Sequence, residues 1–218
     1  MTVDNHFSLA RYWAQGDTLS HVVAGLLLAM SVLSWLVILS KVLAAWRVRR
    51  AAPVLAAFWD APTLDDGLAM LRLADRENIY ASLPAKGAAL RTGAASLAGS
   101  MSPGEQLTRI LRDAITDSTH RLEAGLTALA SIGATAPFVG LLGTVWGIYH
   151  ALANVSAAGT VQIDKVAGPV GEALIMTGLG LTVAIPAVLA YNGLNRMNRV
   201  TLAELDGFAH DLHAYFSR

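Results

Sequence analysis

The chain has 218 residues, 54% hydrophobic and 15% charged, with a mean hydropathy of +0.48, which is too apolar for an ordinary soluble domain. Its 16 basic and 16 acidic residues cancel, so net charge gives no sign of a nucleic-acid partner. The absence of cysteine excludes disulfides, zinc knuckles and thiol catalysis.

Residues 1–20 form a short mixed segment with Asp4, Arg11 and Asp17, and with Phe7, Tyr12 and Trp13 as interfacial aromatics. Val22 to Ser40 follows, an uncharged run of 19 residues closed by Lys41, Arg47, Arg49 and Arg50. A secretory signal carries its charge before a shorter apolar core. Here the charge comes after, so 21–42 is predicted to be an uncleaved first span. Basic residues set its direction: two lie in the segments expected outside (Arg11, Lys165), eleven between Lys41 and Arg121, and three after Asn195. The positive-inside bias puts the N-terminus outside and both 43–125 and the C-terminus inside.

Between 51 and 101, Pro53, Pro62 and Pro84 punctuate short predicted helices, and Leu64, Leu68, Leu71 and Leu73 suggest one amphipathic face. Ser102-Pro103-Gly104-Glu105 has the pattern of a capping box with proline at N1. The stripe that follows, with Arg109–Asp113 and Asp117–Arg121 at i,i+4, runs without an obvious breaker into an apolar stretch. One helix is therefore predicted from Pro103 to Ala153, about 75 Å long, with its second span at 126–153 and a kink at Pro137. A loop at 154–166, a third span at 167–193 kinked at Pro186, and an amphipathic 194–218 helix complete an all-α membrane protein of three spans with long helical extensions.

Spans two and three are rich in glycine: Gly140, Gly143 and Gly147 in one, Gly168, Gly171, Gly178 and Gly180 in the other, with Gly171 and Gly178 taken with the first three as the packing positions. Small residues let helices approach closely in hydrocarbon, where apolar burial drives little association. Such glycines pack spans within one chain or between chains, and both readings stay open. These two spans are expected to form an inner layer, with span one toward lipid. Polar residues at depth are few: Thr135, Thr144, Glu172, Thr177 and Thr182. Span threonines commonly bond back to their own helix. Glu172 differs, because an acid at the centre of a span costs about 3 kcal/mol on insertion scales, and an intramembrane acid is by default a functional candidate. Its bland alternative is a carboxyl neutralised by a buried hydroxyl. Glu172 and Thr177 are about 140° apart on a helix, so both line one cavity only if neighbours wrap the span. His210, His213 and Asp206 could share a metal-binding face, but a solvated tail explains them, and His120 and His150 receive no role. No nucleophile–base pair, phosphate loop or metal spacing points to an enzyme, and no cofactor is expected.

The run Ala136-Pro137-Phe138-Val139-Gly140-Leu141-Leu142-Gly143-Thr144-Val145-Trp146-Gly147-Ile148, followed by Glu172-Ala173-Leu174, Thr177, Gly180-Leu181, Ala184-Ile185-Pro186-Ala187 and Tyr191-Asn192, resembles the MotA/TolQ/ExbB proton-channel family. The likeness covers essentially the whole chain and is weakest in 45–125. The sequence departs from the pattern at Leu142, Tyr149 and Gly168-Pro169. The Trp-rich start, Ser34-Trp35 with Lys41, and the opening of span two match one branch of the family. For that branch the resemblance implies an inner-membrane pentamer around a dimer of single-span ExbD, working with TonB. The N-terminus would lie in the periplasm and the C-terminus in the cytoplasm. The assembly would use the proton-motive force to energise outer-membrane uptake of iron-siderophores and vitamin B12. Glu172, Thr144 and Thr177 would be the proton-path positions, with the second acid supplied by the partner. Two alternatives are a TolQ-like or other stator subunit, and a non-conducting scaffold for ExbD.

Overall fold

The computed structural model describes residues 17–92, 102–158 and 163–217, without the side chains of 91, 92, 157, 158, 163–167 and 172. Phe7, Tyr12 and Trp13 lie outside the described residues, as do the side chains of Asp164, Lys165 and Glu172. Every regular element among the described residues is helical: α1 (Thr18–Ala51), α2 (Val54–Trp59), α3 (Leu64–Ala74), α4 (Ser82–Thr92), α5 (Pro103–Glu123), α6 (Leu126–Ala158) and α7 (Ile163–Phe216). Three stretches are long and apolar enough to cross a bilayer: α1, Pro103–Ser156 with α6 as its apolar part, and Gly168–Phe216 within α7. The chain divides into two compact units, Met1–Ile38 with Thr127–Tyr191, and Leu39–Leu126 with Asn192–Arg218.

In the first, apolar unit, α1 buries one narrow stripe of Val23, Leu27, Ser34 and Ile38 and leaves Leu28, Trp35 and Leu36 uncovered. Helices α6 and α7 meet through small residues. A Cβ on Gly140 would lie 2.6 Å from the Met176 carbonyl, and one on Gly180 would lie 2.6 Å from the Ala136 carbonyl. Gly143 faces Met176 and Val23, Gly147 faces Ala173, and Gly133 faces Val188. Gly171 and Gly178 have nothing within 4 Å of a built Cβ. Of the α7 glycines, close packing inside the chain falls on Gly180, and Gly133 of α6 adds a contact that the glycine pattern does not mark. Pro137 lies inside α6, and Pro169 and Pro186 inside α7, and neither helix ends at a proline.

The second, polar unit surrounds a core that includes Phe58, Leu71, Tyr80, Leu111, Leu205 and Leu212. On α3, Leu68 and Leu71 are buried, but Leu73 is 84% exposed, because it falls off the face its neighbours share. Asp75 is buried and its Oδ2 accepts from the Tyr80 and Ala81 amides at 2.7 and 2.9 Å, which fixes the turn before α4. Asn78 in that turn has φ 52°, a left-handed conformation that asparagine tolerates. The buried Tyr80 hydroxyl donates to Glu204 at 2.6 Å. Burial, reinforced by the Glu204 carboxylate, pushes the phenol well above its ordinary value, so it remains a donor at any cellular pH. The capping box of α5 forms as predicted: the Ser102 hydroxyl accepts from the Glu105 amide and Glu105 accepts from the Ser102 amide.

The predicted single helix from Pro103 to Ala153 is overturned. It ends at Glu123, and Gly125, with φ 82°, separates α5 from α6. A left-handed glycine just past a last turn containing His120 and Arg121 is a helix stop. The carbonyls freed there are satisfied from other helices: Lys41 Nζ donates to Arg121 O at 2.8 Å and Asn198 Nδ2 to Leu122 O at 3.1 Å. The Arg109–Asp113 pair forms, at 4.0 Å, but Asp117 pairs at 2.6 Å with Lys86 of α4 and not with Arg121. The connection predicted at 154–166 is shorter, since α6 continues to Ala158 and α7 begins at Ile163.

Gly140→Ala should destabilise the α6–α7 contact by about 1–3 kcal/mol, because the clashing atoms are backbone and cannot rotate away. Gly178→Ala should leave packing within the chain unchanged. Thermal unfolding of both purified variants checks this, and any loss in Gly178→Ala would have to arise between chains.

Candidate functional site

The close approach at Gly140 and Gly180 brings the polar residues of α6 and α7 together. Thr177 Oγ1 donates to Thr144 Oγ1 at 3.3 Å, and Thr144 Oγ1 donates to Leu141 O at 2.7 Å. Thr144 is 4% exposed and Thr177 is half-buried. Thr135 and Thr182 instead donate to their own helices four residues back, to Ser131 O and Gly178 O, each at 2.8 Å. The ordinary back-bonding role thus holds for those two and fails for Thr177. A hydroxyl donates once and accepts twice, so Thr177 still has a lone pair for a further donor. The chain of hydroxyls ends on a carbonyl, which cannot pass a proton on.

The face of α7 toward α6 carries Ala173, Met176, Thr177, Gly180 and Val188, and Ala184 and Ala187 on the same helix are buried. Glu172 is helical and lies one turn before Met176. By helical register its position falls at the margin of that face, between it and the uncovered side bearing Leu174, Gly178 and Leu181.

A second polar group sits where α1 begins and α6 nears its end, and the sequence reading missed it. Asp17 caps α1: its Oδ1 accepts from the Ser20 amide at 3.0 Å and the Ser20 hydroxyl at 2.7 Å. Its Oδ2 accepts from the indole Nε1 of Trp146 and lies 3.6 Å from His150 Nε2. The Trp146 and His150 rings lie against each other at 4.7 Å between centroids, tilted by 37°. Burial raises the Asp17 pKa, but the bonds from Ser20 and Trp146 outweigh burial and hold the carboxyl below its ordinary value. An aspartate immediately ahead of a long apolar run was a legible N-cap signal. Its tie to Trp146, 129 residues away, was not.

Three helices long and apolar enough to cross a bilayer, two of them joined through glycine with a threonine pair between them, define a polytopic α-helical membrane protein. The chain belongs to the MotA/TolQ/ExbB proton channel family, which its residues 84–206 match. It is 46% identical over 211 residues to a biopolymer transport protein ExbB of Xanthomonas campestris, covering 93% of this chain and 83% of that one. It is 41% identical over 210 residues to the ExbB of Neisseria meningitidis, covering 94% and 96%. A Tol-Pal system protein TolQ of Pseudomonas aeruginosa is 39% identical over 114 residues, covering 52% of this chain and 49% of that one.

Asp17→Ala should cost about 1 kcal/mol through loss of the cap alone, and more with the indole bond gone. Because the folded pKa is lowered, the stabilisation is full at neutral pH and is lost as pH falls below the ordinary value of 3.8. The stability gap between wild type and Asp17→Ala, measured by chemical unfolding, should therefore close under strong acid.

Proposed function

We propose that this chain is an ExbB-type subunit of a TonB system: an inner-membrane proton-channel subunit that works with ExbD. It assembles as a pentamer around an ExbD dimer and converts the proton-motive force into work on TonB, energising outer-membrane import of iron-siderophores and vitamin B12. The N-terminus faces the periplasm and the C-terminus the cytoplasm. Likeness to ExbB relatives over nearly the full length of both chains supports the role. The observation that carries the proton path is the Thr177–Thr144 hydroxyl pair, held inside an apolar unit by a glycine contact. Glu172, five residues before Thr177 on α7, is the group that takes up and releases the proton, and the partner's intramembrane acid receives it. Five like charges around one pore repel, so some of these acids hold protons and can exchange them with a passing partner. One charge moving through about 100 mV releases about 2.3 kcal/mol, and a coupled conformational step captures it.

A TolQ-like role is the second reading, favoured by the Pseudomonas aeruginosa match, which covers half of this chain and so weighs less. Growth of a deletion strain under iron limitation against its sensitivity to detergent separates the two.

Glu172→Gln should leave assembly intact and abolish energised uptake together with proton flux into liposomes holding both subunits. Normal flux in that variant would refute the assignment, and absent flux in wild type would favour a scaffold for ExbD. Thr177→Val keeps the volume and removes the hydroxyl donor, and should lower flux by about tenfold with thermal stability reduced by about 1 kcal/mol.

A further inference from the structure

The polar unit holds a recess of about 270 Å³ between the end of α3, the turn that follows it, the first turns of α4 and the last turns of α5. Its charged lining is Arg72, Lys86, Arg121 and Asp117, three cations against one carboxylate. That carboxylate is committed to Lys86 at 2.6 Å. Neither Arg72 nor Arg121 has an ion pair with a described carboxylate, although Arg121 stands at i,i+4 from Asp117. The hydroxyls of the lining are already satisfied: Ser82 and Ser118 both donate to the Ile79 carbonyl, at 3.2 and 3.1 Å. What the recess lacks is negative charge, not hydrogen-bond partners.

The geometry points to a binding site for a phosphate group, held between the guanidinium groups of Arg72 and Arg121 with Lys86 as a third cation. Two planar forks suit the paired non-bridging oxygens of phosphate, and a dianion would balance the two excess positive charges. Asn78, exposed at the rim in its left-handed turn, adds an amide donor. Asp117 opposes the ligand and keeps Lys86 partly occupied, which holds the affinity in a reversible range. The last of these cations, Arg121, is five residues before the apolar α6, no more than about 19 Å of chain. An anionic lipid headgroup and a soluble phosphate present the same oxygens to such a site.

The test uses the purified full-length protein in nanodiscs of neutral lipid. One arm titrates inorganic phosphate at constant ionic strength. The other adds phosphatidylglycerol to the nanodisc and counts lipid retained per chain by native mass spectrometry. Saturable binding in the first arm identifies a soluble phosphate as the ligand, and saturable retention in the second identifies a headgroup. In whichever arm binds, Arg72→Gln with Arg121→Gln should weaken binding by about tenfold or more. Arg109→Gln with Arg112→Gln, on α5 but outside the recess, should leave it unchanged. Asp117→Asn should strengthen binding several-fold, a gain that misfolding cannot imitate. Saturation in neither arm, equal loss in the Arg109/Arg112 control, or weaker binding in Asp117→Asn overturns the assignment.

Discussion

Two backbones touch where α6 crosses α7, and the Thr177–Thr144 pair of the apolar unit rests on that contact. Gly140 and Gly180 each sit so close to a facing carbonyl that a single added carbon would lie 2.6 Å from it. Lipid tails are as apolar as leucine, so burial alone gives these helices little reason to associate, and packing at short range must supply the attraction. Ordinary helix pairs keep their axes about 8–10 Å apart. Glycine at the crossing removes the side chains that would hold the backbones apart, and there Thr177 and Thr144 meet at 3.3 Å. The same glycine pattern that stabilises the pair therefore places two hydroxyls in contact within a medium that otherwise offers them only their own backbone.

The polar unit solves the opposite problem. Water competes there for every hydrogen bond, and stability comes from a dry core with a few polar groups fixed inside it. Asp75 orders a turn by taking two backbone amides, and Tyr80 in that turn reaches α7 through Glu204. The Phe58, Trp59, Phe208 and Tyr215 rings pack edge to face at 5.1 to 6.1 Å and join α2 to the same helix. Helix α7 is thus the element on which the small helices of this unit converge.

Much of this organisation was legible from residue order. Three apolar runs, the capping box at Ser102 and Glu105, and the proline-punctuated short helices each rest on local chemistry that a sequence displays directly. The failures are equally local in cause. Gly125 was passed over because a lone glycine inside a periodic stretch is often tolerated; its left-handed φ, and the donors Lys41 and Asn198 that make a break affordable, come from elsewhere in the chain. Leu73 was assigned to a buried face because leucine content was weighed above register. Glycine composition identifies the packing spans, but which glycines face a neighbour depends on crossing geometry, so Gly180 carries a contact inside the chain, Gly168, Gly171 and Gly178 carry none, and Gly133 adds one. The Asp17–Trp146 bond and the basic recess join residues far apart in sequence, and no local pattern announces either.

The interruption at Gly125 moves the work of ending α5 to other parts of the polar unit. A left-handed residue closes the ladder, so the last carbonyls of α5 find no partner in a following turn. Lys41 of α1 and Asn198 of α7 supply the donors, at Arg121 O and Leu122 O. Three helices therefore meet at one helix end, and a shift of either donor leaves a carbonyl without its partner.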